Sequence, residues 1–167
     1  MDHFRDEKDP YVGQLKREER DNFYRKHRNF GLWAKLELKR AERYCEFLSL
    51  LVVDLSSLTK FSRKGTLRGY RREETLLKEI ENVVKSAVRE TDLVSGIEGQ
   101  KLILLLSETP KEGARSLAKR LGERVKVLIS SFLRTPPGWQ VPMNVLSYPD
   151  RKGKERFLGF IQELTQS

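Results

Sequence analysis

The feature that most constrains the fold of this chain is a pair of apolar runs separated by a glycine-containing turn. Leu93-Val94 leads to the turn Glu98-Gly99, and five consecutive apolar residues follow at 102–106. Two apolar runs arranged in this way predict a β-hairpin. Because the second run is apolar at successive positions, it should be buried on both faces of a sheet. We therefore expect a central strand, with the tip of the turn placed as one wall of a site.

The remaining segments predict strands that alternate with helices. The apolar, partly β-branched run at 48–54 ends in Asp54 and predicts a second central strand. Apolar residues recur at helical spacing over 73–88 and again after 110, where Thr109-Pro110-Lys111-Glu112 predicts a capping box. Further helices are predicted over 32–46 and 156–164, with a strand over 141–148. Together these elements predict the α+β class.

Two side chains of the first predicted helix carry specific expectations. Trp33 and Leu36 are three residues apart, so we expect them on one apolar face. Cys45 is the only cysteine, which excludes an internal disulfide and a metal cage built from cysteines. We expect Cys45 to be a small packed residue beside the first strand rather than a reactive thiol.

Length and composition limit the class of protein. A chain of 167 residues with 38% hydrophobic and 34% charged residues fits one soluble domain with a strongly charged surface. No apolar run reaches the ~18 residues that a membrane span needs, and the N-terminus lacks the apolar segment of a signal peptide. We therefore expect a cytoplasmic protein. Residues 1–28 are dominated by charge and predict an extension, helical in pattern, ahead of a domain at 29–167.

A net charge of +9 favours an anionic partner, which could be a nucleotide, a nucleic acid or an acidic membrane. The segment 60–72 contains six Lys and Arg residues and no acid, and Gly65 and Gly69 predict a loop or a broken helix there. A solvated basic surface is the simpler interpretation. Only Phe61 and Tyr70 accompany these cations, which is a poor platform for stacking bases, so nucleic acid is an unfavoured partner.

The hairpin region resembles the GGDEF family, the diguanylate cyclases of bacterial signalling. The family signature Gly-Gly-Asp/Glu-Glu-Phe is represented by residues 98–102, which read Glu-Gly-Gln-Lys-Leu. Upstream, Arg89-Glu90-Thr91-Asp92 matches the family's inhibitory Arg-x-x-Asp site and is separated from Glu98 by five residues. The resemblance extends over roughly residues 29–165. It implies a palm-like nucleotide-cyclase fold, with a mostly antiparallel central sheet flanked by helices.

The same resemblance implies that catalysis is lost. Family members join two GTP molecules with two divalent metals held mainly by carboxylates. Asp54 matches one ligand position, but Ser56, Gln100 and Lys101 stand where the family places acids. The prediction is a protein that is not an enzyme, with no cofactor and no metal, in which Asp54 is a vestigial ligand. We expect the Lys101 ammonium to lie near Asp54 and to replace the charge of the metal.

Two functions of different classes remain open. The resemblance implies a receptor or effector for cyclic di-GMP, in which Arg89 and Arg120 bind the ligand and Asp92 accepts hydrogen bonds from guanine. Lys119 or Arg115 could screen its phosphates. The alternative is a ligand-independent protein–protein interaction module of a bacterial signalling assembly, which docks through the basic surface 60–72 or the N-terminal extension.

Overall fold

A computed structural model describes residues 27–61, 67–98, 100–150 and 153–166 of the chain. Within these residues, helices and strands alternate in an α+β arrangement, which confirms the predicted fold class. The elements in chain order are α1 (His27–Tyr44), β1 (Leu48–Asp54), α2 (Leu58–Phe61), α3 (Leu67–Ala87), β2 (Leu93–Glu98), β3 (Lys101–Ser107), α4 (Lys111–Phe132), β4 (Met143–Tyr148) and α5 (Gly153–Gln166).

The strands form one four-stranded sheet in the order β2-β3-β1-β4, with antiparallel pairing throughout. The two strands predicted to be central, β1 and β3, lie in the middle. Their register places Leu48 opposite Ser107 at one end of the pair and Asp54 opposite Lys101 at the other. The hairpin tip therefore lies at the end of β1, where the backbone N–H of Leu55 donates to the carbonyl oxygen of Gln100 at 2.7 Å.

Each face of the sheet is covered by its own helical layer, because successive side chains of a strand point to opposite faces. Leu51 and Val53 of β1 pack with Val84 of α3 and Leu121 of α4 on one face. The opposite face carries Leu48, Leu50 and Val52, which pack with residues of α1 and α5 such as Phe30, Trp33 and Phe157. Burial on both faces explains why the runs at 48–54 and 102–106 are continuously apolar.

Element boundaries differ from the sequence prediction at several points. Helix α3 begins at Leu67 rather than near residue 73, so Gly69 lies within a helix and not in a loop. A glycine in a helix costs only about 1 kcal/mol, which the packing of a long amphipathic helix offsets. Strand β4 begins at Met143 rather than Val141, and α5 extends from Gly153 to Gln166.

The predicted capping box at the start of α4 is wrong. The N-cap is Pro110, and the helix has no side-chain capping hydrogen bond. Thr109 was expected to cap the helix, but its hydroxyl donates to the carbonyl oxygen of Ser107 at 2.8 Å and accepts from Arg89. The Thr109 hydroxyl is engaged by Ser107 and Arg89 and so does not cap the helix.

Two expectations about the first helix are also wrong. Trp33 is buried, whereas Leu36 is 51% exposed and lies on the solvent side of α1. Cys45 is exposed rather than packed. It has φ +54, and the Glu46 N–H donates to the carbonyl oxygen of Ala41 at 3.0 Å. This is the hydrogen bond of a Schellman motif, so Cys45 occupies the left-handed position that glycine usually fills after a helix.

Candidate functional site

The turn between α3 and β2 holds Arg89 and Asp92 together. The Arg89 backbone N–H donates to Asp92 Oδ2 at 3.0 Å, and the Asp92 N–H donates back to the Arg89 carbonyl oxygen at 3.0 Å. An Asp side chain that bonds nearby backbone N–H groups favours a turn over further helix. The spacing of three residues in Arg-x-x-Asp is thus the spacing that closes this turn.

Asp92 is buried, at 3% exposure, and both of its carboxylate oxygens accept hydrogen bonds from the protein. In addition to the Arg89 backbone N–H, Oδ2 accepts from Arg89 Nε at 3.4 Å. Oδ1 accepts from Arg89 Nη2 at 3.4 Å and from the Ser107 N–H at 3.2 Å. The two backbone N–H groups are the nearer donors, because the two Nη2 hydrogens of Arg89 also serve Ser107 and Thr109 at shorter distances. Asp92 therefore fixes the turn and the Arg89 side chain.

The Arg89 guanidinium reaches from this buried carboxylate toward solvent. Its side chain is 57% exposed. Nη2 donates to the Ser107 carbonyl oxygen and, at 2.7 Å, to the Thr109 hydroxyl. The β3–α4 connection therefore holds the Arg89 guanidinium through Nη2. The remaining, exposed part of the guanidinium is accessible to an anion.

A pocket of about 270 Å³ lies beside the Arg89 guanidinium, between the β3–α4 connection and the first turns of α4. Arg89, Asp92 and Arg120, the three residues predicted for ligand binding, all line it. Arg120 is exposed on α4. The structure thus brings the three predicted residues to one concave surface with two guanidinium groups.

Other lining residues were missed by the sequence analysis. Thr109 and Glu108 form part of the pocket wall, and Leu117 and Gly113 contribute from α4. Glu108 is exposed and has φ +50, a left-handed backbone conformation. The run Ser107-Glu108-Thr109, directly after the apolar residues 102–106, was a signal that polar side chains collect at the end of the sheet.

A buried pair of hydroxyl groups supports the pocket from within the sheet. Ser49 Oγ donates to the Thr109 carbonyl oxygen at 2.7 Å, and it lies 2.8 Å from Ser147 Oγ. Ser49 is fully buried and Ser147 is 4% exposed. These hydrogen bonds connect the β3–α4 connection to β1 and β4. They fix the backbone of Thr109, and this in turn positions the Thr109 hydroxyl that contacts Arg89.

The opposite end of β1 and β3 carries the residues that the resemblance relates to metal binding. Asp54 lies directly across from Lys101, where side chains of paired residues are within about 5 Å at Cβ. The Ser56 backbone N–H donates to Asp54 Oδ1 at 2.9 Å. Hydrogen bonds from the Ser56 hydroxyl and N–H lower the pKa of Asp54, burial raises it, and the Lys101 charge lowers it further.

The described residues of this corner do not supply the donor set of a divalent metal ion. Mg²⁺ and Ca²⁺ bind to several oxygen ligands, chiefly carboxylates, whereas Asp54 already accepts hydrogen bonds from Ser56 and lies across from Lys101. Gln100 has φ +63 at the hairpin tip. Among the residues that the structure describes, no three His, Cys, Asp or Glu side chains are grouped as metal ligands.

The docking surfaces of the alternative function lie largely outside the described residues. Of the extension 1–28, only His27 and Arg28 fall within the start of α1. In the basic segment 60–72, residues 62–66 lie outside the described ranges. The alternative therefore stays a prediction. Among the described helices, none combines the length and apolar character needed to cross a lipid bilayer.

Comparison with protein-family models matches residues 26–155 to "Diguanylate cyclase, GGDEF domain". This match spans more than half of the chain. Comparison with curated proteins gives no significant match.

Solved structures of similar fold come from the same family. The GGDEF domain of TpbB (YfiN) from Pseudomonas aeruginosa is 20% identical, with 82% of this chain and 79% of that chain covered and a TM-score of 0.56. The GGDEF domain of DgcB from Caulobacter crescentus, solved in complex with c-di-GMP, is 12% identical, with 83% of each chain covered and a TM-score of 0.58. The P. aeruginosa diguanylate cyclase SiaD, solved with its activator SiaC, is 18% identical, with 84% of this chain and 54% of that chain covered and a TM-score of 0.55.

Proposed function

Because the chain belongs to the GGDEF family of diguanylate cyclase domains, we propose that it is a catalytically inactive receptor for cyclic di-GMP. The ligand binds in the pocket lined by Arg89, Asp92 and Arg120. The observation that carries the proposal is the Arg89 guanidinium, which is more than half exposed and yet held in place by Asp92, Ser107 and Thr109.

Preorganisation of Arg89 favours binding of a phosphate or a guanine edge. Arginine presents several N–H donors in a rigid plane, and it loses less freedom on binding when the protein already fixes that plane. Asp92 and the carbonyl oxygen of Ser107 orient the fork. The ligand therefore meets a guanidinium whose rotamer has been selected in advance, and charge-assisted hydrogen bonds of this kind are the strong ones.

Arg120 supplies a second cation from a different element of the fold. Cyclic di-GMP carries two phosphodiester charges, and Arg89 and Arg120 approach the pocket from the α3–β2 turn and from α4 respectively. The volume of about 270 Å³ is at the lower end of the ~300–1,000 Å³ typical of small-molecule sites. It suits one guanine base and its phosphate, with the rest of the ligand at the surface.

Carboxylates of the pocket have different roles in this proposal. Asp92 is buried and accepts hydrogen bonds from the protein on both oxygens, so its role is to position Arg89. Glu108 is the exposed carboxylate of the lining. It is the group available to accept from the imino and amino donors of guanine.

Loss of catalysis is supported by the corner at the other end of the sheet. Joining two GTP molecules requires metal-assisted neutralisation of negative charge. In its place Lys101 faces Asp54, and Ser56 holds the carboxylate in local hydrogen bonds. A turnover assay with GTP and Mg²⁺ or Mn²⁺ should give no cyclic product, and any turnover that depends on Asp54 would contradict this part of the proposal.

Isothermal titration calorimetry with cyclic di-GMP tests the binding site. We expect Arg89→Ala to weaken binding by more than about 30-fold, since it removes a charge-assisted contact worth about 2 kcal/mol or more. Arg120→Ala should weaken it by about tenfold. Arg124→Ala is the matched control, because Arg124 is exposed on the same helix but is not part of the pocket lining. Equal affinities for all four proteins, or no heat with the unmodified protein, would contradict the proposal.

A second pair of variants tests the pocket without touching a charge. A Cβ at Gly113 would lie 3.3 Å from Thr109 Cγ2, so Gly113→Ala should press on the residue that contacts Arg89 and weaken binding. Gly159→Ala is the control, since a Cβ there meets nothing within 4 Å. Both glycines lie in helices, so both substitutions should raise helix propensity by up to about 1 kcal/mol. Only the first should change the affinity for cyclic di-GMP.

A further inference from the structure

The solvent side of α1 carries a regular line of residues that the ligand pocket does not use. Leu32, Leu36, Lys39 and Arg43 follow one another at intervals of four, three and four residues. This is the spacing at which one helix presents a continuous seam to another. We call these residues the α1 crest. Leu32 and Leu36 are each 51% exposed, and Lys39 and Arg43 are exposed as well.

Charges around the α1 crest are unbalanced. The acids of this helix and of the turn after it are occupied, since Glu37 and Glu46 pair with Arg40 at 3.7 and 3.9 Å, and Glu42 pairs with Lys154 at 3.1 Å. Within the described ranges, Lys39 and Arg43 have no ion-pair partner, and neither has the neighbouring Lys35. The crest is therefore apolar at its N-terminal end, with Lys35 beside the leucines, and cationic at its C-terminal end.

We propose that the α1 crest is a docking surface for an acidic amphipathic helix of a protein partner. The partner helix presents two apolar residues to Leu32 and Leu36, and carboxylates to Lys39 and Arg43. Recognition of this kind, with one helix laid along another, is read through anchors three and four residues apart. Leu158 of α5 is 38% exposed. It lies one helical turn after Lys154, which pairs with Glu42 of α1.

Two other occupants fit less well. In a second copy of this chain, a parallel pairing sets Lys39 against Lys39 and Arg43 against Arg43. An antiparallel pairing buries Lys39 and Arg43 against leucines, which leaves charges without partners. A helix that lies in a bilayer keeps an apolar stripe along its length with cations at the flanks. Here the cations follow the leucines along the crest itself.

The experiment uses two fluorescently labelled synthetic helices, each stapled to keep it helical. One has Leu at two successive seam positions and Glu at the next two, and the other has Lys in place of Glu. Fluorescence anisotropy should show at least about tenfold tighter binding of the acidic peptide to the full chain. The double variant K39E/R43E should reverse the preference. The control R124E/R134E makes the same change in net charge at exposed sites on and after α4, and should keep it.

Several results would overturn the docking proposal. The first is that neither peptide binds at concentrations up to about 1 mM. The second is that K39E/R43E does not reverse the preference for the acidic peptide. The third is an equal effect of the control variant R124E/R134E, which would show that peptide preference depends only on net charge. Sedimentation with phosphatidylglycerol vesicles that depends on Lys39 and Arg43, without peptide binding, would assign the face to a membrane. Dissociation of a dimer by L32E/L36E in analytical ultracentrifugation would assign it to a second copy.

Discussion

The two ends of the β1–β3 pair have the same backbone geometry and opposite chemistry. At the hairpin end, Asp54 lies across from Lys101 and accepts hydrogen bonds from Ser56. At the other end, about 20 Å away over the seven residues of β3, buried Asp92 holds Arg89 outward. In the first arrangement the acid is held by its own turn, and in the second a buried acid presents a cation to solvent.

The comparison separates a partly exposed carboxylate from a buried one. Asp54 is held by local hydrogen bonds from Ser56 and presents no fixed cation to an anionic ligand. In contrast, Asp92 is buried and holds Arg89 with the outer half of its guanidinium in solvent. Mutations at the pocket end should therefore lower both the free energy of unfolding and the affinity for the ligand. Mutations at the hairpin end should change the free energy of unfolding only slightly and leave the affinity unchanged.

Asp92→Ala should produce the largest change. It leaves the partly buried backbone N–H groups of Arg89 and Ser107 without their acceptor, which costs about 2–3 kcal/mol of unfolding free energy. Urea denaturation checks the value. Arg89→Ala is the comparison, because it keeps both backbone donors to Asp92 and removes a half-exposed side chain, so it should cost less than Asp92→Ala. If the two variants are equally mild, Asp92 does not have the supporting role described above.

Ser49→Ala should have the next largest effect. The hydroxyl bonds the Thr109 carbonyl oxygen and lies beside Ser147 Oγ inside the sheet, so its loss should cost about 1–2 kcal/mol and loosen the β3–α4 connection. Ser130→Ala, where the hydroxyl is exposed beside Thr135, should stay within about 0.5 kcal/mol. The affinity for cyclic di-GMP should fall in Ser49→Ala only. Unchanged affinity would show that the hydroxyl pair supports the sheet without supporting the pocket.

Lys101→Glu tests the hairpin end of the β1–β3 pair, where we expect mutations to have small effects on stability. It places a carboxylate opposite Asp54, and like charges facing each other across strands should cost about 0.5–1 kcal/mol. Lys101→Gln separates loss of attraction from gain of repulsion. The difference between the two variants should shrink in about 1 M NaCl, because salt screens exposed charges at that distance. A difference that persists in salt would indicate a packing effect instead.

The smallest effect concerns the ionisation of Asp54. Its pKa is lowered chiefly by the Ser56 hydroxyl and then by the Ser56 N–H. A group whose pKa is lower in the folded state stabilises the protein above its unfolded pKa of about 3.9, and that contribution is lost as pH falls through the folded value. Carbon-detected NMR should show the Asp54 pKa rising in Ser56→Ala, and rising less in Lys101→Gln. A larger shift in Lys101→Gln would reverse the order of causes.

Most of the fold could be predicted from the sequence because the central strands are buried on both faces. Strand β1 was predicted with its observed limits, 48–54, since a continuous apolar run ending in an acid leaves little ambiguity. Helix starts were less predictable. Gly69 does not stop α3, and Thr109 does not cap α4, because packing and competing hydrogen bonds outweigh local preferences of about 1 kcal/mol.

The candidate site was predictable only in part. The spacing of Arg89 and Asp92, together with the resemblance, indicated the turn, and Arg120 was placed by the resemblance. The roles within the site depend on contacts between segments distant in sequence, such as Ser107 with Asp92 and Ser49 with Thr109. Spacing within one segment does not reveal such contacts. For the same reason, no pattern in the sequence indicates that the Ser107 N–H donates to Asp92.

The most direct test of the difference between the two ends is one NMR titration. Cyclic di-GMP is added to uniformly ¹⁵N-labelled protein, and the amide shifts are followed along β1, β3 and α4. We predict shifts concentrated at Arg89, Ser107, Thr109 and Arg120, with Asp54 and Lys101 unchanged. Shifts concentrated at Asp54, Ser56 and Lys101, or no shifts at saturating ligand, would contradict the proposed receptor site.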